Sequence, residues 1–177
     1  MESGPPRPIE VVQPQCSDFV VFTDGSAPQG KADDLRSPWI GGVIFGKDVR
    51  PRQFSAPVTE VMMQRWVVRK HQIVMVELFA VVVALRTFAP LVQGKFVLLL
   101  IDSEAVLGAL VKGYSAREDI CELVGVFWDL ALEFRVSSYL DRVPTDSNPS
   151  DLPSRDDLET GSSLGWSTVD PVWPEFL

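Results

Sequence analysis

A shortage of cysteine and of basic residues sets the first limits on what this chain does. Cys16 and Cys121 lie far apart with no C-x-x-C spacing, so neither a disulfide framework nor a zinc site is indicated, and a reducing compartment fits. Lys and Arg number 16 against 24 Asp and Glu, a net charge of −8. That balance lacks the cationic excess with which chains normally hold nucleic-acid phosphates. No apolar run reaches the roughly 20 residues a bilayer requires. The most apolar stretch, residues 73–89, is interrupted by Glu77 and Arg86 and reads as a core segment. No basic and then apolar leader opens the chain, and no internal repeat or low-complexity tract is present. An intracellular protein, cytoplasmic or nuclear, is therefore expected, with no signal peptide and no membrane partner.

With 177 residues and 46% hydrophobic content, the chain is long enough for one domain with a proper core and too short for two. Residues 1–16 are Pro-rich and polar, as linkers are. The domain is expected over 17–155, followed by an acidic, Trp-containing tail over 156–177. "FVVF" from Phe19, "WIGGVIFG" from Trp39 and "RQFSAPV" from Arg52 read as three strands with short links, a meander, with Pro51 and Pro57 at strand ends. Residues 27–38 and 59–72 are longer connections. The second holds Trp66 among Arg65, Arg69, Lys70 and His71. It reads either as a helical extension packing Met62, Met63 and Trp66 on the core or as a basic, aromatic contact to substrate.

"IVMVELFAVVVALRTFA" is a helix by its length and lack of turn signals, with Pro90 as its stop. "FVLLLI" from Phe96 has the pattern of a strand covered on both faces. A short helix closing at Gly113 follows, then a capping box with Ser115 as N-cap and Glu118 at N3, opening a helix that spaces Ile120, Leu123, Val124, Phe127, Leu130, Ala131 and Phe134 on one face. "RVSSYLDRVP" is a fifth strand, before a turn and one last helix. Strands separated by helices pair in parallel through right-handed crossovers. The expected fold is therefore α/β: a five-stranded mixed sheet, a meander of strands one to three and then parallel strands four and five, flanked by helices.

Four acids stand out in this order. Asp102 directly follows the apolar run of its strand, and Asp24 follows that of the first strand after Thr23. If strands one and four are parallel neighbours, both carboxylates reach the crevice at the strands' carboxyl ends, where open α/β sheets bind ligands, about 4.8 Å apart. A turn at Asp24-Gly25 and an N-cap at Asp102 are the simpler readings of each residue alone. Glu77 lies in a segment so apolar that its carboxylate needs a partner or a metal, unless it faces solvent. Asp151, between "NPS" and "LPSR", is a helix N-cap or a fourth member of the set. Such an acidic site can act on a phosphodiester despite the net charge, because bound Mg²⁺ supplies the positive charge.

These residues resemble the ribonuclease H domains of retroelement reverse transcriptases over about residues 17–155. "FTDGS" is similar to the family's first-strand Asp motif, "VELFAVVVAL" to its helical Glu motif and "LLLIDSEAVLGALVKGYS" to its second Asp motif. "RVPTDSNPSDLPSR" is similar to the closing motif of retroelement members, above all those encoded beside tyrosine recombinases. The resemblance implies an endonuclease that cuts the RNA strand of an RNA/DNA hybrid with two Mg²⁺, Mn²⁺ substituting. It further implies a linked or neighbouring polymerase domain and Asp24, Glu77, Asp102 and Asp151 as catalytic metal ligands. Gly25, Ser26, Ser103, Asn148 and Arg155, next to these acids or to their motifs, are the candidate substrate contacts.

The chain departs from many cellular members in two ways. It has no His in the loop before the last acid, since "PTDSN" stands there and His71 is the only histidine. It also has no basic handle, since "KGYSARED" offers only Lys112 and Arg117. A DEDD-type exonuclease would need Asp-x-Glu on the first strand, where Gly25 and Ser26 follow Asp24, and an integrase-like nuclease would end its set on Glu. The remaining alternative is a degenerate domain kept as a scaffold or nucleic-acid-binding module beside a polymerase.

Overall fold

The computed structural model describes residues 17–27, 37–69 and 72–174. The Pro-rich segment 1–16, most of the connection 27–38, and Lys70 and His71 of the basic cluster lie outside the described residues.

Three strands, β1 (Phe19–Ser26), β2 (Trp39–Gly46) and β3 (Val49–Pro57), form the antiparallel meander. Pro51 lies inside β3 and not at its end. Two further strands, β4 (Phe96–Ile101) and β5 (Ser137–Arg142), are parallel, β4 to β1 and β5 to β4. The sheet has six strands and not five. A two-residue strand, β6 (Ser167–Thr168), pairs in parallel with Arg52 and Gln53 of β3, giving the order β5-β4-β1-β2-β3-β6. Two small polar residues carry no alternation from which a strand could be read. β6 is held there by its neighbours: Trp166 is buried and meets Phe45 edge-on at 5.5 Å, and the Val169 amide donates to the Gln53 carbonyl.

The connection after β3 contains one helical turn, α1 (Glu60–Met63). The long apolar helix is α2 (Ile73–Thr87), which ends two residues before the expected boundary. Pro90 then opens the short α3 (Ala89–Val92), where a missing amide hydrogen costs nothing. Eleven residues of α2 are buried, from Met75 to Thr87. A helix apolar on every side must be covered on every side. The sheet covers one side and α5 (Glu118–Glu133) another, while Trp66 and Trp173 contact Phe79 at 5.6 and 5.9 Å. Trp66 therefore packs on the core, as the extension reading expects, and Met62 and Met63 pack against it.

After β4 comes α4 (Glu104–Lys112), closed by Gly113 in the left-handed conformation at φ 74°. The N-cap of α5 is Arg117, and the expected capping box is absent. Ser115 instead accepts from the Arg117 amide, and the start of α5 is fixed by Asp119, which is buried and bidentate with Arg69 at 2.5 and 2.7 Å. In β4 only Val97, Leu99 and Ile101 are buried, so one face is fully covered and the other half covered. β5 is followed by two short helices, α6 (Asp151–Ser154) and α7 (Leu158–Ser163), where the sequence reads a single last helix. Side chains alternate across a strand. Gly25 meets α2 and Asp24 meets α6, so these helices lie on opposite faces of β1. Among the described residues no helix is long and apolar enough to cross a membrane.

Candidate active site

The parallel pairing of β1 and β4 places Thr23 opposite Ile101, so the next residues, Asp24 and Asp102, leave adjacent strands side by side. Glu77 comes from the first turns of α2, which lies against β1 at Gly25. A Cβ on Gly25 would stand 2.8 Å from the Glu77 amide nitrogen, and this close approach carries Glu77 to the strand ends. Asp24, Glu77 and Asp102 each offer a carboxylate oxygen, all within 4.8 Å of one another. Asp24 is neither a simple turn residue nor exposed, and Glu77 turns into this crevice.

Two of these carboxylates, Asp24 and Glu77, are electrostatically uncomfortable. Burial raises Asp24 to about 6; a hydrogen bond from Ser154 opposes the rise, and the charges of Asp102 and Asp151 add to it. Burial also raises Glu77 to about 7, opposed by a hydrogen bond from Ser103 and reinforced by Asp102 and Asp24. Both shifts share one cause: charged oxygens withdrawn from water beside like charges. Asp102 Oδ2 accepts from Thr145 Oγ1 at 3.3 Å, while its Oδ1 is buried without a protein donor.

Asp151 lies outside the group of three. It is the first residue of α6, beyond the N-cap Ser150, and its Oδ1 accepts from Arg155 Nε at 2.9 Å and Nη2 at 2.8 Å. It is nevertheless close enough for its charge to act on Asp24.

The other candidate residues all make bonds that shape the site. Asn148 is buried, donates to the Thr23 carbonyl at 3.2 Å and accepts from both the amide and the hydroxyl of Ser150, tying the loop before α6 to β1. Ser26 Oγ donates to the Ser154 carbonyl at 2.5 Å. Ser103 is the residue before α4 and bonds Glu77. Of the basic cluster in 59–72, Arg69 is committed to Asp119. Sequence reasoning missed Ser154, a fully buried residue whose hydroxyl donates to Asp24 Oδ2 at 2.5 Å. Its only sequence signal is its place three residues after Asp151.

Oxygen ligands that converge, repel and include an orphaned buried oxygen fit a hard divalent cation better than any neutral ligand.

No family model and no curated protein matches the sequence. Solved structures do. LC11-RNase H1, from compost and solved in complex with an RNA/DNA hybrid, is 16% identical with a TM-score of 0.62 over 81% of this chain and 99% of that one. RNase H1 of the halophilic archaeon Halobacterium salinarum is 18% identical with a TM-score of 0.57 over 80% and 98%. The N-terminal RNase H domain of rv2228c from Mycobacterium tuberculosis is 16% identical with a TM-score of 0.57 over 85% and 99%. At such identities the likeness is one of architecture, and with the mixed sheet and its parallel β1–β4 pair it establishes that this chain is a domain of ribonuclease H-like fold.

Proposed function

We propose that the domain is a metal-dependent endoribonuclease that hydrolyses the RNA strand of RNA/DNA hybrids, as part of a retroelement reverse transcriptase. The observation that carries this reading is the convergence of Asp24, Glu77 and Asp102 within 4.8 Å at the carboxyl ends of β1 and β4. These residues would hold two Mg²⁺, or Mn²⁺ in their place, with Asp151 completing the set. The chemistry such ions supply when bound is neutralisation of the scissile phosphate and Lewis-acid activation of the displacement. The chain's own part is to hold four carboxylates at fixed places: Asp24 through Ser154, Glu77 through Ser103, Asp102 through Thr145 and Asp151 through Arg155. Substrate choice would rest on the shape and 2′-hydroxyls of the hybrid. The motif set from "FTDGS" to "NPSDLPSR" supports the retroelement setting and a polymerase domain as partner.

The metal reading is tested by thermal melts in chelator and in Mg²⁺. Asp24→Asn removes a repelled charge, so without metal the variant should melt above the wild type. Mg²⁺ at ten times its dissociation constant should stabilise the wild type by about 1.4 kcal/mol and the variant hardly at all. Equal stabilisation of both proteins would show that Asp24 holds no metal.

A further inference from the structure

Ser154 stands between the acidic cluster and the turn that carries Asp151. It is fully buried; its hydroxyl donates to Asp24 Oδ2 at 2.5 Å and lies 3.0 Å from the Asp151 carbonyl oxygen. One hydroxyl hydrogen cannot serve both acceptors well, and the carboxylate is the stronger of the two. The turn itself is docked by other groups. Ser26 Oγ donates to the Ser154 carbonyl and Ser55 Oγ to the Pro153 carbonyl, each at 2.5 Å, and a Cβ on Gly41 would collide with the backbone of Pro153 and Ser154. With the turn held by these contacts, the Ser154 hydroxyl is free to act on Asp24. The terminal torsion of an aspartate is broad and roughly two-fold, so an Asp24 carboxylate without such a bond would rotate.

We propose that Ser154 is a positioning residue that fixes the plane of the Asp24 carboxylate and couples it to the turn carrying Asp151, so that both acids present their oxygens in one fixed relation. The inference rests on the reading of Asp24 as a metal ligand and goes beyond it by assigning the residue that orients that ligand. Hydrogen-bond partners of ligating carboxylates typically cost about 10- to 100-fold in metal affinity when removed.

The test is calorimetric Mg²⁺ titration of the full chain as wild type, Ser154→Ala and Ser55→Ala, the fold of each checked by near-ultraviolet circular dichroism. Ser154→Ala should bind Mg²⁺ roughly 10- to 100-fold more weakly and lower kcat for hybrid cleavage with KM for the hybrid unchanged. Ser55→Ala removes one docking bond of the same turn without touching Asp24, while the Ser26 bond and the close packing on Gly41 still hold the turn, so it should keep wild-type affinity. Equal affinity of Ser154→Ala and wild type would overturn the inference, and so would equal losses in both variants, since docking of the turn would then explain the effect. A wild type that binds no Mg²⁺ would instead overturn the metal-site reading, and this inference with it.

Discussion

Gly25 and Glu77 touch through their backbones: a side chain on Gly25 would stand 2.8 Å from the Glu77 amide nitrogen and 2.9 Å from the Val76 carbonyl carbon. Backbone cannot yield as the tip of a flexible side chain can. Gly25→Ala should therefore push α2 off β1, costing about 1–3 kcal/mol in urea denaturation, as overpacking does. Because the displaced element carries Glu77, hybrid cleavage should fall by far more than the folded fraction does. A Gly25→Ala protein of wild-type stability and activity would show that this contact does not set the position of Glu77.

The raised carboxylates make stability depend on pH with a definite sign. Asp24, raised from 3.8 to about 6, and Glu77, raised from 4.5 to about 7, bind protons in the folded state that the unfolded chain has already released. Stability without divalent cations should thus fall as pH rises from about 4 to 7, by on the order of 3 kcal/mol for Asp24 alone. Asp119 acts in the opposite sense. The hydrogen bond from Arg69 holds its carboxyl below the usual value, so its contribution is present above the unfolded value and is lost as pH falls through the folded one. A stability maximum near pH 4 to 5 in chelator should result, with Mg²⁺ flattening the decline above it. Urea denaturation across pH, with and without Mg²⁺, measures this, and a profile in chelator that rises through pH 7 would contradict it.

Residues beyond the motifs take part in the core. Trp166 is buried against Phe45 and the α7 turn at Gly161, and Gln53, fully buried beneath, donates to the Leu158 carbonyl at 2.9 Å. Trp166→Ala should cost about 3–5 kcal/mol, the usual loss for a large buried aromatic. A loss under about 1 kcal/mol would mean that the segment around β6 does not belong to the cooperative unit.

Legibility in the sequence followed the length and periodicity of each element. The meander, α2, β4 and the apolar face of α5 repeat their pattern over six or more residues, and their physical cause is local. The helical segment before β4 pointed to a parallel strand there, but that its neighbour is β1, which brings Asp24 and Asp102 together, stood in the sequence only as a condition and is set by the tertiary pairing. The two residues of β6 were not legible, because their place depends on distant parts of the chain: Gln53 of β3, and Phe45, on which the adjacent Trp166 packs. Arg117 replaced Ser115 as N-cap because Arg69, some fifty residues earlier, holds Asp119 at the start of α5. The same reason hid Ser154, whose importance lies in a contact with Asp24 across 130 residues of sequence.

The most direct measurement is cleavage of an RNA/DNA hybrid labelled on both strands, in Mg²⁺ and in chelator, beside duplex DNA and duplex RNA, with Asp24→Asn as control. The account predicts Mg²⁺-dependent cuts in the RNA strand of the hybrid alone, an intact DNA strand, and no cleavage by Asp24→Asn. Cleavage that persists in chelator or in Asp24→Asn, or a wild type that binds Mg²⁺ and hybrid yet leaves the RNA strand whole, would contradict it.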